Sequence, residues 1–256
     1  MKLPDVGRLL TFPWLGDRLA ARVLAGGLTM LPATIPHRYD FGDDRDFVGA
    51  ALNTPESWDA LRATNSVFGL PTSAEQWHKV AEGAELAERA RTIAELAARL
   101  SALRLSSYGV GGASLERALA TQAPQLELVC TEFAPQTVRR LREYFPEAEV
   151  IEHDLNREAP ITADLHLFHR IDTEFTNAQW RGILTRFPVP VLFVPAGVLD
   201  WPTYANERRL ATSPRATKAG WLRNPAALER LWMSTHDAEE LRVGELRGYL
   251  LRPRAP

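Results

Sequence analysis

Cysteine is almost absent from this chain. Cys130 stands alone among 256 residues, so no internal disulfide can form. That fits a reducing compartment and a fold held by its core. A dominant charge is missing as well. The formal net charge is −2, which points neither to nucleic acid nor to an anionic membrane, and no basic stripe interleaved with aromatics marks a nucleic-acid surface. Long apolar runs are also lacking. The stretch from Val23 to Pro36 carries no charge, but Gly26, Gly27 and Pro32 interrupt it, and it is shorter than the ~20 apolar residues a membrane span needs. Pro4, Asp5 and Arg8 come too early for a signal peptide. No internal repeat or low-complexity linker is present, and no helix-borne His-x-x-x-His or cysteine pair supports a metal site. These absences leave a soluble cytoplasmic protein, without a membrane partner, as the expectation.

What is present is an ordinary globular composition, 45% apolar and 24% charged. The length allows one large domain, or one domain with an extension. Two regions differ in character, residues 1–100 and 101–256. In the first, Leu9, Leu10, Leu15, Leu19 and Val23 form an interrupted helical pattern. Thr34 to Asp46 reads as a loop. Thr54 before Pro55 reads as a helix cap followed by a first-turn proline. Ser73-Ala74-Glu75-Gln76 resembles a capping box, opening a long helix to about Leu100 with a break near Gly83. No strand is expected in this region, which is read as a helical extension.

The second region alternates strands and helices. Leu103 to Tyr108 is a strand, Gly109-Val110-Gly111-Gly112-Ala113 a tight turn, and Ser114 the start of a helix with Leu115, Ala118 and Leu119 on one face. Leu126–Thr131, Val150–Asp154, Asp164–His169 and Pro190–Val194 read as strands; Pro135–Tyr144 and Thr176–Phe187 read as helices. This rhythm implies an α/β fold with a doubly wound, mostly parallel sheet. Leu241–Val243 and Leu246–Leu251, joined at Gly244, suggest a closing hairpin. Trp201 to Thr235 is expected to be loop and helix lining a substrate pocket.

Ligands on such sheets lie at the carboxyl ends of the strands. The glycine turn, Glu132 and Asp154 all fall there. Glycines let a backbone approach a ligand closely, and a helix start offers free N–H groups. A carboxylate can accept both hydroxyls of a ribose diol, in charge-assisted bonds. Glu132 suits that task; its plainer alternative is a solvated acid favouring the following helix dipole. Asp154 has a plainer alternative too, as a turn residue capping Asn156, and Phe133 is as suited to the core as to stacking on a base.

In these features residues 103 to 256 resemble a class I S-adenosylmethionine-dependent methyltransferase. Ser107-Tyr108-Gly109-Val110-Gly111-Gly112-Ala113 stands where that family has acidic-x-Gly-x-Gly-x-Gly. Thr131-Glu132-Phe133-Ala134-Pro135 resembles the second strand end, whose acid holds the ribose hydroxyls, and His153-Asp154-Leu155 resembles the third, whose Asp accepts from the adenine amino group. The resemblance implies a Rossmann-like sheet closed by an antiparallel hairpin. It also implies S-adenosylmethionine as cofactor, held by Ser107, Gly109, Gly111, Glu132, Phe133, Asp154 and Leu155, and methyl transfer to an acceptor that is by default a small molecule. Two positions depart from the pattern: Ser107 replaces the acid and Ala113 the last glycine. An inactive binding module is therefore one alternative.

An NAD(P)-dependent oxidoreductase is the other, since Glu132 follows the glycine turn by about twenty residues, as a ribose-binding acid should. Against it, Ser114 replaces the third glycine and no Tyr-x-x-x-Lys follows. Methyl transfer needs alignment and, for oxygen or nitrogen acceptors, a base. Candidates after the fourth strand are His169, Arg170, Asp172 and Glu174, of which His169 is named as catalytic. The apolar and aromatic residues of the extension, among them Phe12, Trp14, Trp58, Phe68 and Trp77, must pack on something. A lid on the cofactor mouth and a homodimer interface are the two expectations.

Overall fold

The computed structural model describes residues 31–41, 54–64 and 69–254. Seven strands form one sheet: β2 (Arg104–Tyr108), β3 (Glu127–Glu132), β4 (Glu149–Glu152), β5 (Leu165–His169), β6 (Val191–Val194), β8 (His236–Val243) and β9 (Leu246–Pro253). Their order is β4-β3-β2-β5-β6-β9-β8. The first five run parallel, while β9 runs antiparallel to both β6 and β8. The strand order reverses between β2 and β5, which makes the end of β2 a switch point where a ligand crevice opens. Two further strands, β1 (Thr34–Asp40) and β7 (Ala216–Arg223), pair antiparallel in a separate ribbon.

The central strands are buried on both sides, as parallel strands between two helix layers are. One face carries Leu105, Leu128, Leu165, Leu167 and Leu192. It is covered by α2 (Ala74–Ala81), α3 (Ala84–Arg99), α4 (Ser114–Gln122) and α5 (Pro135–Tyr144). The other carries Tyr108, Phe168 and Phe193 beneath α6 (Asn177–Leu184) and α8 (Pro225–Trp232). Trp77, from the extension, belongs to the first of these cores, so the change at residue 100 is one of architecture and not a gap in packing.

Local signals set the helix starts. Ser73 Oγ accepts from Gln76 N at the head of α2, and Thr176 and Gln179 close a full capping box on α6. Gly83 separates α2 from α3, as the break predicted. α1 (Pro55–Thr64) begins after Thr54, whose Oγ1 accepts from Ser57 N.

Three expectations are corrected. Thr34–Asp40 is a strand and not a loop, so the first region does contain one. Its sequence, Thr-Ile-Pro-His-Arg-Tyr-Asp, has no period-2 alternation, because nearly every residue is half-buried. Its partner lies far along the chain, at β7. Residues 201–235 hold that partner between α7 (Trp201–Leu210) and α8. The closing hairpin is longer than expected and begins at His236. The expected helix through Leu9–Val23, with Phe12, Trp14 and Phe68, lies outside the described residues.

Candidate functional site

The turn after β2 needs its glycines for stated reasons. Gly109 has φ +63° and Gly111 φ +57°, a region that side chains disfavour. A Cβ on Gly109 would stand 2.9 Å from Ile171 Cγ2, because the loop after β5 packs directly on the turn. Ala113, which replaces the family's last glycine, keeps a left-handed φ of 51°, at a cost of roughly 1–2 kcal/mol.

Glu132 closes β3 facing this turn and is 2% exposed. Its Oε2 accepts from Gly111 N at 2.9 Å; its Oε1 accepts from Phe133 N at 2.9 Å and Ala134 N at 3.2 Å. Arg62, from α1, lies 3.1 Å from Oε2. The carboxylate and the glycine turn are thus joined in one unit, as the sequence spacing implied. Leu70 and Trp77 also reach the turn: Trp77 Nε1 donates to the Gly112 carbonyl, and Leu70 lies against Gly112.

Ser107 does not leave its position without an acid. Its hydroxyl donates to Glu116 Oε1 at 2.6 Å, from the first turn of α4. The serine that stands at the acidic position of the resembled motif is thus paired with a carboxyl from the helix that follows. Burial pushes Glu116 up to about 7, against the opposing hydrogen bonds from Ser107 and its own backbone. The folded chain therefore keeps a proton there that the unfolded chain releases above its ordinary carboxylate pKa. The contribution to stability is complete below that pKa and is lost as pH rises to about 7. Glu116→Gln is neutral throughout, so its stability relative to the parent should rise by on the order of 3 kcal/mol between pH 4 and pH 8. Urea unfolding at both pH values checks this; a constant difference would contradict it.

The remaining expected residues are dispersed. Asp154 Oδ1 accepts from Asn156 N at 2.9 Å, the turn-capping arrangement, and Oδ2 lies 3.4 Å from Arg157 Nε. Leu155 is buried in the core under α6. Phe133 is half-buried beside Glu132. His169 ends β5 on the α3 side of the sheet, in line with Leu165 and Leu167. Its Nε2 is buried without a partner. Burial, with Arg170 and Arg89, pushes the ring down to about 3, leaving a weak base.

A second polar cluster follows β5 and holds two of the candidates read there, Asp172 and Glu174, although His169 is the one named as catalytic. Asp172 is 1% exposed, and its Oδ1 accepts from Ala196 N at 2.5 Å while Oδ2 is buried without a partner. Tyr39, from β1, donates to Glu174 Oε1 at 3.1 Å, and Thr173 Oγ1 donates to the same oxygen at 3.3 Å. Burial pushes Asp172 up to about 6 and Glu174 up to about 7. Buried Arg223 ties the segment down, donating to the Asp172 and Phe175 carbonyls and, at 2.6 Å, to Asn177 Oδ1. Asp172 and Glu174 are among the sequence candidates after the fourth strand, but Tyr39 sits on the strand that the sequence pattern hides, and Arg62 belongs to a helix far earlier than its partner Glu132. Glu116 had a readable signal, an acid in the first turn of the helix after an acid-lacking motif. Among the described residues no group of three His, Cys, Asp or Glu could hold a metal ion, and no helix is long and apolar enough to cross a membrane.

No family model matches the chain, and a search of curated proteins finds no match. Solved structures do resemble it. Human N-acetylserotonin methyltransferase, in complex with S-adenosylmethionine, superimposes with a TM-score of 0.52 at 15% identity, over 83% of this chain and 64% of that one. The chain thus spans less than two thirds of that protein's length. The mitomycin 7-O-methyltransferase MmcR gives 0.52 at 17% identity, over 98% of this chain and 91% of its own. An O-methyltransferase family protein from Burkholderia thailandensis gives 0.50 at 13%, over 94% and 70%. With the strand order and the glycine turn at its switch point, these likenesses establish that the chain has the fold of the class I S-adenosylmethionine-dependent methyltransferases.

Proposed function

We propose that this chain transfers a methyl group from S-adenosylmethionine to a small-molecule acceptor. The observation that carries the reading is the bond from Gly111 N to Glu132 Oε2, which sets a carboxylate against a glycine turn at the sheet's switch point. The solved neighbours act as support: two are O-methyltransferases by name and the third is a methyltransferase with S-adenosylmethionine bound.

The residues present fit the cofactor. Gly109 and Gly111 add no side chains of their own to the turn, Glu132 is the carboxylate that a ribose diol would meet once Arg62 gives way, and Glu116 sets a carboxyl beside Ser107. Of the residues expected on the adenine side, half-buried Phe133 at the end of β3 is the one placed beside Glu132; Asp154 is engaged in its own turn and Leu155 in the core. When bound, the sulfonium supplies an electrophilic methyl group. For the acceptor's proton, Glu174 is a better base than His169, since its pKa of about 7 matches neutral pH. Tyr39 and Thr173 hold its carboxyl in place, three residues after Ile171, whose side chain packs on the turn at Gly109. The extension is read as a lid on this mouth rather than a homodimer interface, on the contacts of Arg62, Leu70 and Trp77; light scattering would detect a dimer. A cytoplasmic location rests on the single, buried Cys130 and is checked by cell fractionation.

Thermal melting with S-adenosylmethionine, S-adenosylhomocysteine, NAD and NADP tests the reading. At a hundredfold excess over its dissociation constant a true ligand stabilises by about 2.7 kcal/mol. Either adenosyl ligand should raise the melting temperature. A rise with NAD or NADP alone would identify an oxidoreductase-type site instead.

A further inference from the structure

Arg62 occupies the acid that the proposed cofactor needs. Its Nη1 lies 3.1 Å from Glu132 Oε2 and donates to Thr137 Oγ1 at 3.1 Å, and its guanidinium stacks 5.2 Å from the centre of the Trp58 ring. A Cβ on Gly111 would stand 3.6 Å from Arg62 Nη2, so the guanidinium overhangs the glycine turn. A carboxylate offers about four acceptor positions. Three take backbone N–H groups from Gly111, Phe133 and Ala134, and the fourth takes Arg62. A hydroxyl of a ribose diol can reach Glu132 only by displacing a donor, and Arg62 is the one on a movable side chain; its departure frees one acceptor position.

The same helix holds a second seat for it. Asp59 lies one turn before Arg62, where side chains at this spacing meet. Its carboxylate accepts from Gln136 N at 2.9 Å and Thr137 N at 3.1 Å, at the start of α5, and from Thr137 Oγ1 at 3.3 Å. The Thr137 hydroxyl therefore already touches both Asp59 and Arg62. Beside them a cavity of about 190 Å³ opens between α1 and α5, lined in part by Asp59, Arg62, Leu70 and Arg140. That is room for several waters at ~30 Å³ each, and so for a guanidinium to turn.

We propose that Arg62 is a two-position switch, seated on Glu132 as the structure shows it and moving to Asp59 when a ribose diol takes Glu132. The switch rests on the cofactor reading above. It keeps α1 docked in both states, because Asp59 holds α5 throughout. It also makes cofactor affinity depend on a residue of the extension.

Calorimetric titration with S-adenosylhomocysteine tests it. Arg62→Ala, and Arg62→Met, which keeps the stem over Trp58, should each bind about tenfold tighter or more than the parent, since a bond to a charged group no longer competes. Both should be less stable than the parent, since a buried carboxylate loses its cation, but three N–H donors still hold Glu132, and denaturant unfolding checks that each variant is folded before titration. Asp59→Asn, which removes the charge awaiting the guanidinium, should bind more weakly than the parent. Binding seen only once Arg62 is removed would support the switch as well. Equal or weaker binding by both Arg62 variants would overturn the switch and leave the cofactor reading standing. Unchanged affinity of Asp59→Asn would remove the second seat. No binding by the parent or any variant would overturn the cofactor reading, and the switch with it.

Discussion

Glu132→Ala is expected to destabilise the chain and to lower S-adenosylhomocysteine affinity together. The carboxylate is 2% exposed and holds the turn after β2, the start of α5 and the side chain of α1 at one point. Removing it leaves three backbone N–H groups and one guanidinium without their acceptor. Truncating one partner of a buried pair costs about 3–5 kcal/mol. Affinity should fall at least about tenfold, because bonds to charged groups contribute about 1.5–3 kcal/mol. Glu132→Gln keeps an accepting oxygen and should lose less of both. Denaturant unfolding with a parallel titration checks the pair of effects. Parent-like stability in Glu132→Ala would mean that these four contacts contribute nothing.

Glu174→Gln is expected to reduce kcat by roughly 10²- to 10⁴-fold, the usual range for a lost general base. The mechanism requires the ionised carboxylate, so kcat of the parent should rise with pH through about 7. That rise should vanish in the variant. His169→Gln should leave the profile unchanged, since a ring pushed down to about 3 is already neutral and weakly basic across that range. Release of S-adenosylhomocysteine during turnover, followed across pH, reads all three proteins. An unchanged kcat in Glu174→Gln would move the base elsewhere.

The parallel core was legible because its strands are short segments rich in apolar residues and bounded by turns, as Val191–Val194 is throughout and Leu165–His169 is at three of its positions. The glycine turn and Glu132 were legible because they lie close in sequence, at successive strand ends. β1 was not, because a half-buried ribbon strand with Pro36 in it carries no period. What surrounds Glu132 was hidden for a related reason. A strand-end acid looks dispensable for folding until Arg62 and three N–H groups converge on it from separate segments. Asp154 shows the opposite case. Its residue type at a strand end suits adenine, yet its carboxylate is engaged within its own turn, an arrangement equally written in the local sequence. The charge cluster at Tyr39, Asp172 and Glu174 forms only once β1 pairs with β7 and lies beside the loop after β5.

The central claim is that the carboxylate at the end of β3 and the glycine turn after β2 form one adenosyl site. Calorimetric titration of the unaltered chain with S-adenosylhomocysteine, in competition with NAD, tests it most directly. The account predicts saturable binding at one site per chain that NAD does not displace. Binding of NAD with no heat from S-adenosylhomocysteine would contradict it.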